Sequence, residues 1–246
     1  MLTRRTVVFG MAAMPMMFSA ARAAGPVIDT VPTSAGELTI LPLNHATFIL
    51  MLGQHVLYVD PAKVDFTGQP APTGILITHA HGDHFDPDNL LRIAGNAPLV
   101  VTEEVMGKLP EALKAHASVL HNGDSGSLDG IAVTAVPAYN SSPDKAKFHP
   151  KGVGNGYVLD LGDRRVYVAG DTEDIPEMAA LTGIDIAFLP MNQPYTMTPE
   201  QAAAAIEAFR PKIVYPYHYR GTDLQRLAAL VGDRTELRLR DWYAGG

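Results

Sequence analysis

The sequence predicts an α/β fold of four layers, an αββα sandwich in which two sheets lie between outer layers of helices. Short apolar runs with tight turns near the start predict an antiparallel meander covered on one face. Strand-like and helix-like segments then alternate, which indicates α/β layering. An internal echo favours two similar halves. Segments 56–60 and 166–171 each end in Asp, 19 residues before a buried strand ends at His79 or Pro190.

The individual elements follow from apolar runs and from residues that begin helices. Strands are predicted over residues 37–43, 46–52, 55–60, 74–77, 98–101, 118–121, 131–140, 156–161, 165–169, 184–189, 212–217 and 237–242. Asp86 is a predicted N-cap, with Pro87 in the first helical turn. Thr198 and Gln201 have the spacing of a capping box. Helices are predicted over residues 87–94, 103–116, 199–210 and 223–231.

The most informative stretch is 78–86, Thr-His-Ala-His-Gly-Asp-His-Phe-Asp, which follows a buried strand. Three imidazoles and a carboxylate packed this closely would be costly to bury unless each had a partner, and a divalent cation provides one. In extended backbone, residues two apart point the same way. His79, His81 and Asp83 can therefore converge while His84 faces elsewhere, so one segment could serve two adjacent metals. The alternative is a solvated loop rich in histidine.

Three later strands also end in residues that can bind a metal. Asn140 ends the strand that begins at residue 131, and a long loop over 141–154 follows it. Asp171 follows a hairpin strand within Gly-Asp-Thr, and His218 follows the strand 212–217. Gly-Asp-Thr alone would be a plain turn. Its place at a strand end, 92 residues after His79, favours a ligand role.

These motifs resemble the signature of the metallo-β-lactamase fold. The resemblance rests on His-x-His-x-Asp-His after a buried strand, Gly-Asp-Thr at 170–172 and Pro-Tyr-His at 216–218, and it spans the chain after the N-terminal segment. The sequence Asn-His-Ala at 44–46 resembles the start of the ascorbate-6-phosphate-lactonase-like members of this fold. The resemblance implies a four-layer αββα sandwich of the metallo-β-lactamase type and a metal-dependent hydrolase.

Carried over residue by residue, the resemblance implies the metal ligands His79, His81, Asp83, His84, Asp171 and His218. The first two would hold one metal, Asp171 would bridge, and the remaining three would hold a second. The sequence departs from the family where a further histidine is usual, because the strand there ends in Asn140. Either Asn140 binds through its oxygen, or His149 comes in from the loop, or water fills the position. Zn²⁺ is the expected metal, with Mn²⁺ and one-metal occupancy left open.

The ligand set also implies a mechanism. Two neighbouring cations lower the pKa of a bridging water to about neutral and so make hydroxide available. Asp83 could ligate, or it could serve catalysis as the general base towards that water. His45, Tyr139, Lys151 and Tyr195 are candidates for contacts with the substrate. Asp60 is expected to orient a histidine.

Composition narrows the class of protein. The 246 residues, 47% of them hydrophobic, suit one domain over residues 24–246. Cysteine is absent, which excludes disulfides, thiolate metal sites and cysteine nucleophiles. The formal net charge is −7, so binding to nucleic acid is not expected. A small-molecule substrate is the expected partner, and a homo-oligomer is left open.

Residues 1–23 have the layout of an export signal. Arg4 and Arg5 precede an apolar span over 7–19, and Ala-Arg-Ala follows at 21–23. The paired arginines resemble a twin-arginine signal, which predicts a periplasmic or secreted protein cleaved after Ala23 or Ala24. The apolar span is shorter than the ~20 residues that a bilayer crossing needs, so no stable membrane insertion is expected after cleavage.

Two classes of function compete on these observations. The leading hypothesis is an exported metal-dependent hydrolase of an ester-like bond, with a lactone or a phosphate ester as substrate. A β-lactamase is the alternative within the same fold. The alternative from another class is a periplasmic metal-binding protein without catalysis, which Asn140 favours because a weak ligand would impair the first metal site.

Overall fold

Two seven-stranded sheets form the centre of the molecule in the computed structural model, which describes residues 28–243. The strands of the first sheet are β1 Asp29–Thr33, β2 Gly36–Asn44, β3 Thr47–Leu52, β4 His55–Val59, β5 Gly74–Leu76, β6 Leu99–Val101 and β7 Ala117–Val119. Those of the second are β8 Ser125–Leu128, β9 Ile131–Ala138, β10 Gly154–Leu161, β11 Arg164–Val168, β12 Ile186–Pro190, β13 Ile213–Tyr217 and β14 Glu236–Leu237.

The two sheets share one plan. In the first, β1 to β4 form the predicted antiparallel meander, and β4 to β7 pair in parallel. In the second, β8 to β11 are antiparallel, and β11 to β14 are parallel. The echo between segments 56–60 and 166–171 therefore marks equivalent strands, β4 and β11, where each sheet changes from antiparallel to parallel pairing.

Helices cover the outer face of each sheet. They are α1 Pro87–Ile93, α2 Glu103–Lys108, α3 Glu111–Lys114, α4 Pro176–Ala179, α5 Pro199–Phe209 and α6 Leu224–Val231. Apolar side chains of α1 to α3 pack on the first sheet, and those of α4 to α6 pack on the second. A third core lies between the sheets, where the rings of Phe48 and Phe188 stack 4.4 Å apart. The predicted αββα sandwich is confirmed.

The predicted helix boundaries hold where capping residues define them. Asp86 accepts a hydrogen bond from the backbone N–H of Asn89 at 3.0 Å and begins α1. Thr198 and Gln201 form a capping box at the start of α5. The single helix predicted over 103–116 is wrong, because Leu109 is extended before Pro110 and separates α2 from α3.

Other differences concern short or weakly patterned segments. The strand predicted over 237–242 pairs with β13 only at Glu236–Leu237, and the fully buried Trp242 holds the rest of that segment by packing. The sequence did not predict β1, β8 or α4. Residues 1–23, with the predicted export signal, lie outside the described range. Within residues 28–243, no helix is long and apolar enough to span a membrane.

Candidate metal centre

The candidate centre lies at one edge of the sandwich, where strands of both sheets end. His79 follows β5, Asp171 follows β11 and His218 follows β13. The carboxyl ends of parallel strands meet at the same edge of a sheet, and the two facing sheets bring both edges together. Three groups of residues result, and within each group the ligand atoms lie within 4.8 Å of one another: His79, His81 and His149; His45, Asp83 and His218; and His79, His84 and Asp171. The first and third groups share His79.

Asp60, a fully buried residue that follows β4, orients two of the histidines. Its carboxylate accepts hydrogen bonds from the backbone N–H and the hydroxyl of Thr78, both at 2.8 Å, and from Nδ1 of His84 at 2.7 Å. Because the Thr78 hydroxyl donates to Asp60, its oxygen accepts from Nδ1 of His79 at 3.0 Å. In the neutral form both imidazoles therefore carry their proton on Nδ1 and present the Nε2 lone pair to the cluster, as metal-binding histidines do.

The first group, His79, His81 and His149, is here called the histidine group. Nε2 of His79 lies 3.0 Å from Nδ1 of His81. Burial, together with neighbouring imidazoles, lowers the pKa of His79 and of His81 below the ordinary value. Neutral imidazole is the form that binds a metal, so the environment favours the ligand state at neutral pH.

His149 reaches this group from the β9–β10 loop, residues 139–153. Its Nδ1 donates to the carbonyl of Tyr195 at 3.2 Å, which leaves Nε2 facing Asp171. The amide of Asn140 donates to the carbonyls of Tyr195 at 2.7 Å and Lys145 at 3.1 Å. Of the three ways to complete the first site, the structure brings in the imidazole of His149, while the Asn140 amide nitrogen fixes the loop around it.

A buried carboxylate holds the same loop in place. Glu173 is fully buried and lies 3.1 Å from Nζ of Lys145. It also accepts hydrogen bonds from the backbone and hydroxyl of Ser142, at 2.7 and 2.8 Å, and from Gln201 at 3.0 Å. Burial alone would raise the pKa of Glu173, but these donors outweigh it and lower the pKa to about 2. Glu173 is therefore ionised at neutral pH and stabilises the loop that carries His149.

The second group, His45, Asp83 and His218, is here called the carboxylate group. Oδ2 of Asp83 lies 3.3 Å from Nε2 of His45 and 3.2 Å from Nε2 of His218. Partial burial would raise the pKa of Asp83, yet the hydrogen bonds from these two imidazoles bring it well below the ordinary value. Sequence reasoning had placed His45 only among substrate contacts. The feature that sequence reasoning missed is the turn between β2 and β3, where His45 adopts a left-handed backbone with φ of 54°.

A tyrosine near the C-terminus fixes the orientation of His45. The hydroxyl oxygen of Tyr243 accepts the backbone N–H of Tyr219 at 3.1 Å and lies 2.8 Å from Nδ1 of His45. The ionised carboxylate of Asp83 can only accept, so His45 carries its proton on Nε2, and Nδ1 of the neutral ring accepts from the Tyr243 hydroxyl. His45 then donates to Asp83 and orients that carboxylate.

Asp171 joins the groups. Its Oδ2 lies 3.2 Å from Nε2 of His149, 3.7 Å from Nε2 of His218 and 3.9 Å from Nε2 of His79. Its Oδ1 lies 3.4 Å from Nε2 of His84. Burial would raise the pKa of Asp171, but the imidazoles of His218 and His84 lower it well below the ordinary value. The two carboxylates of Asp171 and Asp60 raise the pKa of His84 in spite of its burial.

Several of these atoms are buried with no hydrogen-bond partner. They include Nε2 of His84, Nε2 of His149 and Oδ1 of Asp171. A buried polar atom without a partner is costly, and here both such nitrogens lie within 3.4 Å of the carboxylate of Asp171. Nitrogen and carboxylate oxygen donors are the set that first-row divalent metals take. The residues present fit a metal.

The remaining sequence candidates divide between the site and a more distant position. Tyr195 lines a cavity of about 360 Å³ together with Asp83, Asp171 and His218. Tyr139 and Lys151 instead pair with Glu177, whose carboxylate accepts from both, at 3.0 and 2.9 Å. Neither lines that cavity or the two that adjoin it. Tyr139 packs into the core under α4 to α6, so the structure does not bring it to the centre.

The cavity at the centre has a neighbour on each side. A cavity of about 630 Å³ opens beside the histidine group and is lined by Leu120, Phe148 and Val153 among others. A cavity of about 420 Å³ opens beside the carboxylate group and shares Asp83 and Asn192 with the central one. A ligand seated over Asp171 can therefore extend in either direction.

The fold and these clusters define the class of protein, a metallo-β-lactamase-fold protein with a candidate metal centre. Residues 27–219 match the family described as the beta-lactamase superfamily domain. The chain is 34% identical over 217 residues to the UPF0173 metal-dependent hydrolase of Pyrococcus horikoshii, which covers 79% of this chain and 92% of that protein. The chain belongs to the beta-lactamase superfamily domain family, and with its UPF0173 relatives it is a metal-dependent hydrolase.

Further relatives agree. The UPF0173 metal-dependent hydrolase of Deinococcus radiodurans is 32% identical over 214 residues, covering 82% of this chain and 90% of that protein. A crystal structure from Parabacteroides distasonis shares 43% identity with a TM-score of 0.82, covering 88% of this chain and 99% of that one. A metallo hydrolase of Ignicoccus hospitalis has a TM-score of 0.68 at 25% identity, covering 82% and 94%. The predicted family and fold are confirmed.

Proposed function

We propose that this hydrolase uses two divalent metals, with Zn²⁺ the first choice and Mn²⁺ the alternative, to cleave an ester-like bond in a lactone or a phosphate ester. The observation that carries the proposal is that histidines of both groups surround Asp171, with Nε2 of His149 and of His218 at 3.2 and 3.7 Å from its Oδ2. Two groups of donors that share one carboxylate suit a two-metal site better than a single ion.

The assignment of ligands follows from the position of each imidazole nitrogen and carboxylate relative to Asp171. His79, His81 and His149 would hold one metal through the nitrogens that lie within 4.8 Å of one another. Asp83, His84 and His218 would hold the other, and Asp171 would bridge them. His45 is left out of the ligand set because its Nε2 lies near Asp83 alone, whereas Nε2 of His218 lies near both Asp83 and Asp171.

The residues of the chain supply the rest of the chemistry. Bound metals would polarise the substrate and lower the pKa of water at the centre. Asp83 is ionised at neutral pH and half-exposed to the central cavity, so its carboxylate can accept the proton of an attacking water. His45 and His218 hold that carboxylate in one orientation. The ring of Tyr195 and the ammonium of Lys147 line the same cavity, where they would contact the substrate.

Metal analysis and a substrate panel test the proposal. Purified protein should contain close to two equivalents of metal and should hydrolyse at least one member of a panel of carboxylic esters, lactones, phosphate esters and a β-lactam. His81→Ala and His84→Ala should each lose metal and turnover. Less than one equivalent of metal in the wild type overturns the proposal. Hydrolysis of the β-lactam alone would assign the alternative activity within the fold.

We also propose export through residues 1–23, on the basis of their sequence layout. A reporter fused behind residues 1–30 should reach the periplasm, and substitution of Arg4 and Arg5 by Lys should retain it in the cytoplasm. A reporter that stays cytoplasmic behind the native segment contradicts the proposal.

A further inference from the structure

The cavity beside the carboxylate group has a distinctive charge. Besides His45, Asp83 and two asparagines, its lining includes the side chains of Lys63 and Arg220. Asp83 is the acidic residue of that lining, and His45 and His218 already contact its carboxylate. The two cations therefore face a space that offers them no carboxylate of their own.

This arrangement stands out against the rest of the molecule. Between residues 28 and 243, eleven of the sixteen lysines and arginines lie within 4.0 Å of a carboxylate oxygen. The five others in that range are Lys63, Arg92, Lys147, Arg210 and Arg220. Three of those five line the cavities at the centre. Most of the unpaired positive charge in the described range thus lies around the candidate site.

Both cations of the cavity are held by contacts that leave their charge unneutralised. The guanidinium of Arg220 lies 5.2 Å from the ring centroid of Tyr243, a cation–π contact that positions the group without using its N–H donors. The ammonium of Lys63 lies beside Gly82, where an added Cβ would be 3.7 Å from Nζ. Gly82 directly precedes Asp83, so this positive charge stands next to the centre.

We infer that the substrate carries an anionic group, a phosphate or a carboxylate, which binds between Lys63 and Arg220 while the scissile bond lies over Asp171. The inference rests on the proposed function and specifies its substrate class. Oxyanions are the ligands that guanidinium and ammonium groups bind most strongly. Asp83 and Asn192 line both the central cavity and this one, so a single ligand can extend from one cavity into the other.

Two esters that differ in charge test this inference. 4-Nitrophenyl butyrate and mono-4-nitrophenyl succinate have acyl chains of equal length, and only the second ends in a carboxylate. The metal-loaded wild type should prefer the succinate. In Lys63→Gln and in Arg220→Gln the ratio of kcat/KM for succinate over butyrate should fall about tenfold, the loss expected for one charge-assisted contact.

Arg210→Gln is the matched control. Arg210 is also unpaired within the described range and shares a left-handed backbone with Lys63, at φ values of 49° and 51°, but it lies at the end of α5. The same loss of one charge there should leave the ratio within about twofold of the wild type. Ratios that stay within that range in the Lys63 and Arg220 variants as well overturn the inference.

A binding measurement separates this inference from the proposed function. Calorimetric titration of the metal-loaded protein with inorganic phosphate and with succinate should show affinity reduced about tenfold or more in the double variant Lys63→Gln/Arg220→Gln. The anion whose affinity falls more, phosphate or succinate, shows whether the group on the substrate is a phosphate or a carboxylate. If the wild type hydrolyses no ester yet binds anions in this manner, the hydrolase proposal fails and the anion site stands. If the wild type hydrolyses esters but neither kcat/KM nor anion affinity changes in the Lys63 and Arg220 variants, the hydrolase proposal stands and the anion site is overturned.

Discussion

The histidine group and the carboxylate group flank the same Asp171, yet the chain holds them by different means. The histidine group takes its third member from the β9–β10 loop, which a single buried carboxylate, Glu173, fixes to the body. The carboxylate group takes its members from three tight backbone segments. His45 and His218 both have a left-handed backbone, and the N–H of His218 donates to the carbonyl of His45 at 3.1 Å.

This difference has a consequence for metal binding. A ligand on a loop can be lost when one anchor fails, whereas ligands that hydrogen bond to each other's backbone move only with the sheets. The rings of His45 and His218 also stack, with centroids 3.8 Å apart. We therefore expect the metal at the histidine group to be the weaker bound, and four substitutions test this expectation.

Asp171→Ala should have the largest effect because it removes the shared ligand. We expect both metals to be lost and kcat/KM to fall at least about a thousandfold, measured by metal analysis and by kinetics on the best panel substrate. Asp171→Asn is the size-matched control and should lose nearly as much, since an amide cannot supply the negative charge. Two equivalents of metal retained in either variant would contradict the bridging role.

His149→Ala should separate the two groups. One equivalent of metal should be lost, while the other stays bound with its affinity changed less than about tenfold. Competition with a chelator, followed by metal analysis, measures both. His218→Ala is the opposite case and should weaken the more tightly bound metal. If both substitutions weaken the same metal, the division into two groups is wrong.

Glu173→Gln should weaken metal binding at the histidine group, although Glu173 is not a member of that group. The amide leaves Lys145 without its buried partner, so unfolding at pH 7 should become easier by about 3 kcal/mol, and the weaker metal should lose affinity. The pKa of Glu173 is about 2 in the folded protein and 4.5 as its ordinary value. Its contribution is therefore present above pH 4.5 and is lost as the pH falls towards 2.

Urea unfolding of metal-free protein between pH 7 and pH 3 measures this contribution. The difference between the wild type and Glu173→Gln should shrink as the pH falls through that window. Glu177→Gln is a control, because its carboxylate pairs with the exposed Lys151. A difference that is constant with pH would mean that Glu173 is not the ionised anchor.

Tyr243→Phe should have the smallest effect and should act on the carboxylate group alone. It removes the hydroxyl proton that fixes the tautomer of His45, so the orientation of Asp83 is less restricted. We expect kcat/KM to fall about fivefold, the equivalent of one neutral hydrogen bond. Metal retention at the histidine group should not change. Loss of metal from that group would show that the two groups are not independent.

The sequence predicted the part of the centre that local geometry determines. His79, His81, Asp83 and His84 lie within six residues at the end of one strand, so their spacing was sufficient to predict that these side chains lie close together. The echo between the strands before Asp60 and Asp171 predicted the two halves and their facing edges. These features depend on short segments whose conformation is decided locally.

Other features depend on contacts between distant parts of the chain. His149 could not be chosen over Asn140, because its position follows from the ion pair of Glu173 with Lys145 and from the carbonyl of Tyr195. The orientation of His45 could not be predicted because it depends on Tyr243, almost 200 residues away. Tyr139 was a substrate candidate because it adjoins Asn140, yet adjacent residues in extended backbone face opposite sides, and Tyr139 turns into the outer core.

The packing of Trp242 and Tyr243 against the centre has a consequence for the order of assembly during synthesis. The carbonyl of Trp242 accepts the backbone N–H of His45 at 3.2 Å, and its ring fills the core between the sheets. A ribosome makes these residues last among those described, long after the histidines of the 78–86 stretch. The nascent chain can thus form the histidine group once residue 195 has emerged, whereas the contacts that orient His45 are complete only when residues 242 and 243 have left the exit tunnel.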